Sequence, residues 1–336
     1  MPNLFIFVLK RIAASIPVLL LVTLISFIVS HAIVPNPVKA WVGFRSNPQI
    51  IEEYTLRYHL NDPLWEQYFY YVYDLATGNW GISPTTGRPV LQEIATYFPA
   101  TLQLVISSVI LSFVVGVPLG AIAAIKKGKT DYSIRMFYLI GISSPPFLVA
   151  LILQLILSYY FNLLPSIGEI SPTISPPKTI TGMIVLDSLL TRDWPAFWSS
   201  IHHLILPTIS LTILIFGLFG RLMRSSMLEV LGKDYIRAAR AKGLSKAYVN
   251  IRHAMRTALI PPVTVLAVAV GQLLGGVVVI EYVFGIPGMG TYTVEAITTS
   301  NFPDIIGVTT IFALGVILSN LVADILYAIL DPRIRI

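Results

Sequence analysis

Six long apolar runs constrain this chain more than anything else in it. They lie at residues 10–33, 100–125, 136–161, 204–223, 259–283 and 305–327. Each is near or above the ~20 residues that a helix needs to cross a bilayer. No water is available inside a bilayer to satisfy backbone N–H and C=O groups, so runs of this length read as helices. The expected fold is an all-α membrane protein with six transmembrane helices. Composition agrees: 12% of the 336 residues are charged, against about 25% in a soluble domain. The first run carries Lys10 and Arg11 ahead of its apolar core, as a secretory leader does. It is long, and no A-x-A pattern follows it, so it reads as a retained span.

The segments between the runs alternate in charge. One side holds Lys10 and Arg11, then Lys126, Lys127, Lys129 and Arg135. It also holds nine basic residues from Arg221, at the end of run four, to Arg256, before run five, and Arg333 and Arg335 in the tail. That makes 17 of the 23 Lys and Arg, while the other side holds 12 of the 17 acids. The positive-inside rule then places both termini in the cytoplasm. Within a single unit covering residues 1–336, residues 34–99 become an extracytoplasmic loop and residues 224–258 a cytoplasmic one. The outer segment 163–203 is proline-rich ("SPTISPPKT"). The loop 34–99 should hold short helices on the membrane surface. Its Tyr68, Phe69, Tyr70, Tyr71, Tyr73 and Trp80 suit an interfacial aromatic belt, with a sugar-stacking platform as the other reading.

Catalytic patterns are missing. "GKT" at Gly128–Thr130 imitates the end of a phosphate loop, but Ala123 stands where that motif needs its first glycine. No nucleotide site belongs to the chain itself. His31, His59, His202, His203 and His253 have no metal-ligand spacing, and there is no cysteine. No G-x-S-x-G elbow occurs. An enzyme is not expected. Two acids, Glu281 and Asp324, fall near span ends, where both should reach the interface. No buried acid chain points to a proton relay, which argues against an ion-coupled secondary transporter. Gln154 and Gln272 either line a pathway or bond a neighbouring helix. Gly116, Pro118, Gly120, Pro145, Pro146, Pro207, Gly217, Gly220, Gly271, Gly275 and Gly276 soften the spans. Gly271-x-x-x-Gly275 permits close helix approach.

The most basic stretch is "DYIRAARAKGLSKAYVNIRHAMRTALIPP", residues 234–262. It reads as helix, glycine break, helix, proline stop. Asp234 is placed to cap the first helix at the amides of Ile236 or Arg237. Gly243 suits a left-handed stop, and Ser245 can cap a second helix. On that second helix Tyr248, Ile251, Met255, Ala258 and Leu259 follow helical spacing and form an expected apolar face. Arg252 and Arg256 lie on its wetter side. Ala238, Ala239 and Ala241 leave the first helix with small side chains, so another surface can approach closely. A solvated loop that only sets topology is the plainer alternative. A helix-turn-helix reader of DNA is disfavoured because both ends are tethered to the bilayer. Contact with anionic membrane lipid suits the charge as a side role. A docking element for a cytoplasmic partner explains the shape as well as the charge.

"DYIRAARAKGL" followed by "RHAMRTALIPP" resembles the cytoplasmic signature loop of the inner-membrane permeases of ABC importers. The chain is most similar to the first permease type of the dipeptide/oligopeptide/nickel branch. "NDPLWEQY", "GRPVLQEIATYFPATLQL", "SSPPFLVALILQLILSYYFNLLPSIG", "GQLLGGVVVIEYVFGIPGMG" and "NLVADILYAILDPRIR" extend the resemblance over nearly the whole length. It implies a type I importer permease fold. The coupling helix then falls on Asp234, Tyr235, Arg237, Ala238, Ala239, Arg240, Ala241, Lys242, Gly243 and Leu244. Arg237 stands where the broad importer pattern has a glutamate, so the ion pairs made there differ. The resemblance also implies partners: a second homologous permease, two ATP-binding subunits carrying ATP and Mg, and an extracytoplasmic solute-binding protein. No cofactor is expected on this chain. Peptides, oligosaccharides and nickel are all carried within the branch, and few buried charges favour the first two over a bare cation.

Overall fold

A computed structural model of the chain describes residues 4–33, 47–57, 59, 61–126 and 128–330. Among these there is no β-strand, only an isolated bridge between Ile82 and Pro89. Helices α1 (Leu4–Ile33), α2 (Pro48–Arg57) and α3 (Leu64–Thr77) precede the long α4 (Val90–Lys126). Then come α5 (Lys129–Ser143), α6 (Pro146–Tyr160), α7 (Ile184–Thr191) and the long α8 (Trp194–Leu231). The chain continues through α9 (Asp234–Ala241), α10 (Lys246–Ala258), α11 (Ile260–Gly276), α12 (Val278–Phe284), α13 (Met289–Thr298) and α14 (Phe302–Leu330). The expected tail cations Arg333 and Arg335, and Lys127, lie outside the described residues.

Four helices are long and apolar enough to cross a membrane unbroken: Val8–Val29 within α1, then α4, α8 and Phe302–Ile329 within α14. The run expected at 136–161 is not one rod. It is α5 and α6, bent by 105°. Two consecutive prolines explain this, because each forces the residue before it out of the helical region. Ser144 and Pro145 are accordingly extended, with ψ 133° and 134°. The Ser144 hydroxyl donates to the Ile140 carbonyl at 2.7 Å, satisfying one acceptor at the break. The run expected at 259–283 also departs from a single helix. α10 and α11 meet at 45°, and α11 stops at Gly276 before α12 begins. Pro261 and Pro262 sit in the first turn of α11, where a missing N–H costs least. α4 and α8 exceed the expected 100–125 and 204–223 at both ends. So part of the segment assigned to the outer loop, Val90 onward, is already in the long helix.

The core is a backbone-close seam between α4 and α8. A Cβ on Gly116 would run into the Phe216 carbonyl, and one on Gly120 into the Gly220 carbonyl. Leu104, Leu206, Leu211, Phe216, Phe219 and Met223 are fully or almost fully buried around it. From the other side Tyr138 of α5 lies over Gly217 and Gly220. α11 packs on α14 at Gly271, whose Cβ would stand 2.9 Å from that of Ser319. Gly275 faces open space, so the expected close approach holds at one glycine of that pair. α1 is attached to α14 by Ser26–Thr309 (3.1 Å) and by an Arg11–Asp324 ion pair at 3.0 Å. Of the aromatic belt, Phe69, Tyr70 and Tyr73 are exposed. Tyr71, however, is buried beside Phe27 and Phe302, so it belongs to the packing of α3 on α1 and α14.

Candidate coupling surface

α8 delivers the chain to the basic segment. It ends at Leu231, and Gly232 and Lys233 turn the backbone before α9 begins. Lys233 is the extended residue at the cap and no side chain caps the helix. The cap expected from Asp234 is not made. Asp234 is already the first helical residue, and its carboxylate accepts from Arg237 Nη1 at 3.3 Å instead. Its charge still favours the positive end of the helix.

α9 has a sharp inside and outside. Ile236 is fully buried and Ala239 is 8% exposed. Both join the core that contains Met223, Met227 and Val230 of α8. Tyr235, Arg237, Ala238, Arg240, Ala241, Lys242 and Leu244 are exposed. Ala239 therefore does not belong to the approachable surface expected of the three alanines. It is the small residue that lets α9 lie on its own support. Gly243 ends the helix with φ +80°, and a Cβ there would meet nothing within 4 Å. The glycine is needed for its backbone angle, not for room.

α10 is the second support. Ser245 caps it as expected, accepting from the Tyr248 amide at 3.3 Å. The apolar face differs from the expectation. Val249, Ala254 and Ala258 are the fully buried residues, whereas Tyr248 and Ile251 are 46% and 66% exposed. The reason is a π-helical stretch, Val249–Met255. A π turn closes i→i+5, so the inward positions step by five and then by four. Arg252 and Arg256 remain on the exposed side as expected. Tyr235 Oη reaches Thr257 Oγ1 at 3.4 Å, joining α9 to α10.

Other polar groups lie away from this surface, Thr101, Ser83 and Asp304 without any signal in the sequence. Glu281, expected to reach the interface, is fully buried. It accepts from the Gly290 amide at 2.6 Å, and its carboxyl fills the space beneath Gly288. Thr101 of α4 accepts from the adjoining Met289 amide at 2.7 Å, so this turn is fastened to the core helix. The glycines of "GIPGMG" were the available signal. Asp304 is buried as well and accepts from Ser83 at 2.7 Å. An open cavity of about 1110 Å³ lies between α6, the following loop and the start of α8. Gln154, Ser158, Asn162, His202 and His203 line it. Gln154 donates to the Ser166 carbonyl at 2.7 Å, so it lines a cavity and also holds a loop. Gln272 is exposed. Among the described residues no group of His, Cys, Asp or Glu is arranged to hold a metal.

Several long apolar helices, one of them followed by a short cationic helix, define a multi-pass membrane protein. Comparison with known proteins gives the particular kind. Residues 116–336 match the family described as binding-protein-dependent transport system inner membrane component, and residues 4–105 match its N-terminal region. The chain belongs to this family. It is a cell-membrane component of an ABC transport system. It is not itself an enzyme, and its ATPase and substrate-binding activities lie in partner subunits. The chain is 39% identical to the probable D,D-dipeptide transport system permease protein DdpB of Escherichia coli K12, over 93% of this chain and 92% of that one. It is 38% identical to the dipeptide transport system permease protein DppB of Alkalihalophilus pseudofirmus, over 98% and 99%. It is 40% identical to the di/tripeptide transport system permease protein DppB of Pseudomonas aeruginosa, over 98% of each.

Proposed function

We propose that this chain is one of two similar permease subunits of an ABC importer for short peptides. Its part is to form half of the translocation pathway and to receive the stroke of an ATPase on α9. The names of its relatives support the peptide cargo. Counting each bent pair as one span gives six crossings. The charge asymmetry then puts both termini and α9 in the cytoplasm. A solute-binding protein delivers cargo to the outer face. Two ATP-binding subunits, holding ATP and Mg, close on each other and move the coupling helices, and the permease pair rocks between inward-open and outward-open states.

One observation carries this reading: α9 is anchored through Ile236 and Ala239, while Tyr235, Arg237, Ala238, Arg240, Ala241, Lys242, Gly243 and Leu244 face outward. Fixed behind and free in front, the helix is shaped to be gripped and to pass displacement into α8. The chain lacks cysteine, so single-cysteine variants give a clean test. Arg237→Cys should cross-link to an ATPase subunit and should be labelled only from the cytoplasmic side, whereas Asn79→Cys should be labelled from outside. Labelling of Arg237→Cys from the outer side, or no ATPase adduct, would refute the assignment.

A further inference from the structure

A pocket of about 450 Å³ opens between the cytoplasm-facing ends of α4 and α8 and the loop that carries α9. Its volume lies within the range of ligand sites, roughly 300–1,000 Å³. Ala124, Ile125, Leu228 and Leu231 form an apolar floor. These residues belong to the last turns of the two core helices. Arg240, Lys246 and Asn250 form the rim. No acid lines it. Glu229, close by in sequence, is occupied by Lys233 at 2.8 Å, and Asp234 by Arg237. Among the described residues neither Arg240 nor Lys246 is paired with a carboxylate.

Two unpaired cations and an amide above an apolar floor match one ligand chemistry, a phosphate group attached to hydrocarbon. A guanidinium offers a planar fork to phosphate oxygens and an ammonium offers a point charge. Basic pockets between transmembrane helices on the cytoplasmic side are where anionic headgroups bind. We propose that this pocket holds the phosphate of an anionic phospholipid of the cytoplasmic leaflet, with Arg240 and Lys246 on the phosphate and an acyl chain over Ile125 and Leu228. A free phosphate shares the headgroup chemistry but has no use for the floor. Because Arg240 sits on α9 and Lys246 opens α10, a lipid bound here braces the coupling helix against the bundle. The site rests on the orientation proposed above for its leaflet. Lipid retention itself depends on neither that orientation nor any ATPase.

The test uses the full chain in its transporter complex, released from nanodiscs of mixed phosphatidylcholine and phosphatidylglycerol. Native mass spectrometry then counts the retained lipids. The parent should keep phosphatidylglycerol in preference to phosphatidylcholine, and excess inorganic phosphate should not displace it. The Arg240→Gln/Lys246→Gln pair should bind phosphatidylglycerol on the order of tenfold more weakly. The charge-keeping pair Arg240→Lys/Lys246→Arg should retain it. Equal retention by the neutral pair overturns the proposal. So does equal loss in both pairs, which would mark a collapsed loop. Displacement by inorganic phosphate overturns the lipid and assigns the pocket to a soluble phosphoryl group.

Discussion

Arg224 grips Asp131 with both arms of its guanidinium, Nε 2.6 Å from Oδ1 and Nη2 2.7 Å from Oδ2. This fork ties the first turn of α5 to α8 shortly before the basic segment, and Arg135 stands 3.4 Å from the same carboxylate. The side chains are 26% and 10% exposed. Breaking a fully buried pair from one side costs roughly 3–5 kcal/mol. Partial exposure of Arg224 lowers the expectation for Asp131→Asn to about 2 kcal/mol. Thermal unfolding in detergent should show that loss. The double variant with Arg224→Gln should cost clearly less than the sum of the single variants, because the pair acts as a unit.

The α4–α8 seam should be intolerant of a single methyl group. Gly120→Ala drives a Cβ into the Gly220 carbonyl, a backbone atom that cannot step aside. Overpacking of this kind costs about 1–3 kcal/mol. Gly275→Ala meets nothing within 4 Å and should be neutral within roughly 0.5 kcal/mol. The same melting assay run on both separates close packing from a general dislike of alanine.

Gly243 predicts a different kind of damage. With φ +80° and open space around it, Gly243→Asn should be mild, since asparagine visits the left-handed region. Gly243→Val should be severe, because a β-branched side chain resists it. The expected result is normal membrane insertion with fewer solute molecules moved per ATP hydrolysed, measured in proteoliposomes of the complete transporter. Unchanged coupling in Gly243→Val would remove the helix stop from the mechanism.

Glu281 should matter for the shape of the turn between α12 and α13. Glu281→Ala removes the acceptor of the Gly290 amide and empties the space under Gly288. Lost hydrogen bonding and a new cavity together cost about 2–4 kcal/mol. Glu281→Gln keeps an acceptor oxygen and should cost less. Limited proteolysis between Gly285 and Met289 should accelerate in the alanine variant and much less in the glutamine one.

Glu169, in the loop between α6 and α7, gives a pH signal. Burial, reinforced by the nearby Glu281 carboxyl, raises its pKa to about 7. A raised carboxyl pKa favours the protonated folded form. Its contribution is therefore fully present below the ordinary glutamate range and lost as pH rises through about 7. The melting temperature should climb as pH falls from above 7 toward the ordinary range. Glu169→Gln should flatten that slope, and an unchanged slope would assign it to other groups.

Much of the scaffold was legible because bilayer physics is blunt: apolar length alone located the four unbroken helices long enough to cross a membrane, and the bent pairs at the other two runs. Pro145 and Pro146 marked a disturbance, but not a 105° bend, since its angle depends on how α5 lies over Gly217 and Gly220. In the basic segment, Gly243 and Ser245 behaved as their local chemistry demands. Asp234 did not, because a cap depends on where the helix starts, and it started one residue earlier. Tyr248 and Ile251 were misplaced because 3.6-residue periodicity cannot anticipate a π turn. Ala239 looked like its alanine neighbours until packing put it inside. Glu281 was misjudged from position: being near a span end says nothing about whether a glycine turn will fold over the carboxylate.

α8 runs without interruption for 38 residues from Trp194 to Leu231. At 1.5 Å per residue that is a rod about 57 Å long, against a hydrocarbon core of about 30 Å. It ends three residues before α9, whose Ile236 and Ala239 are buried in the same core cluster as its Met223, Met227 and Val230. A tilt of about 5° about the glycine seam with α4 therefore sweeps the Trp194 end, ~36 Å away, through about 3 Å by simple geometry. The glycine seam with α4 is the fulcrum of this lever. Its arms are unequal, about 36 Å to Trp194 and about 20 Å to Leu231, so a small displacement at the α9 end would be enlarged nearly twofold at the far one.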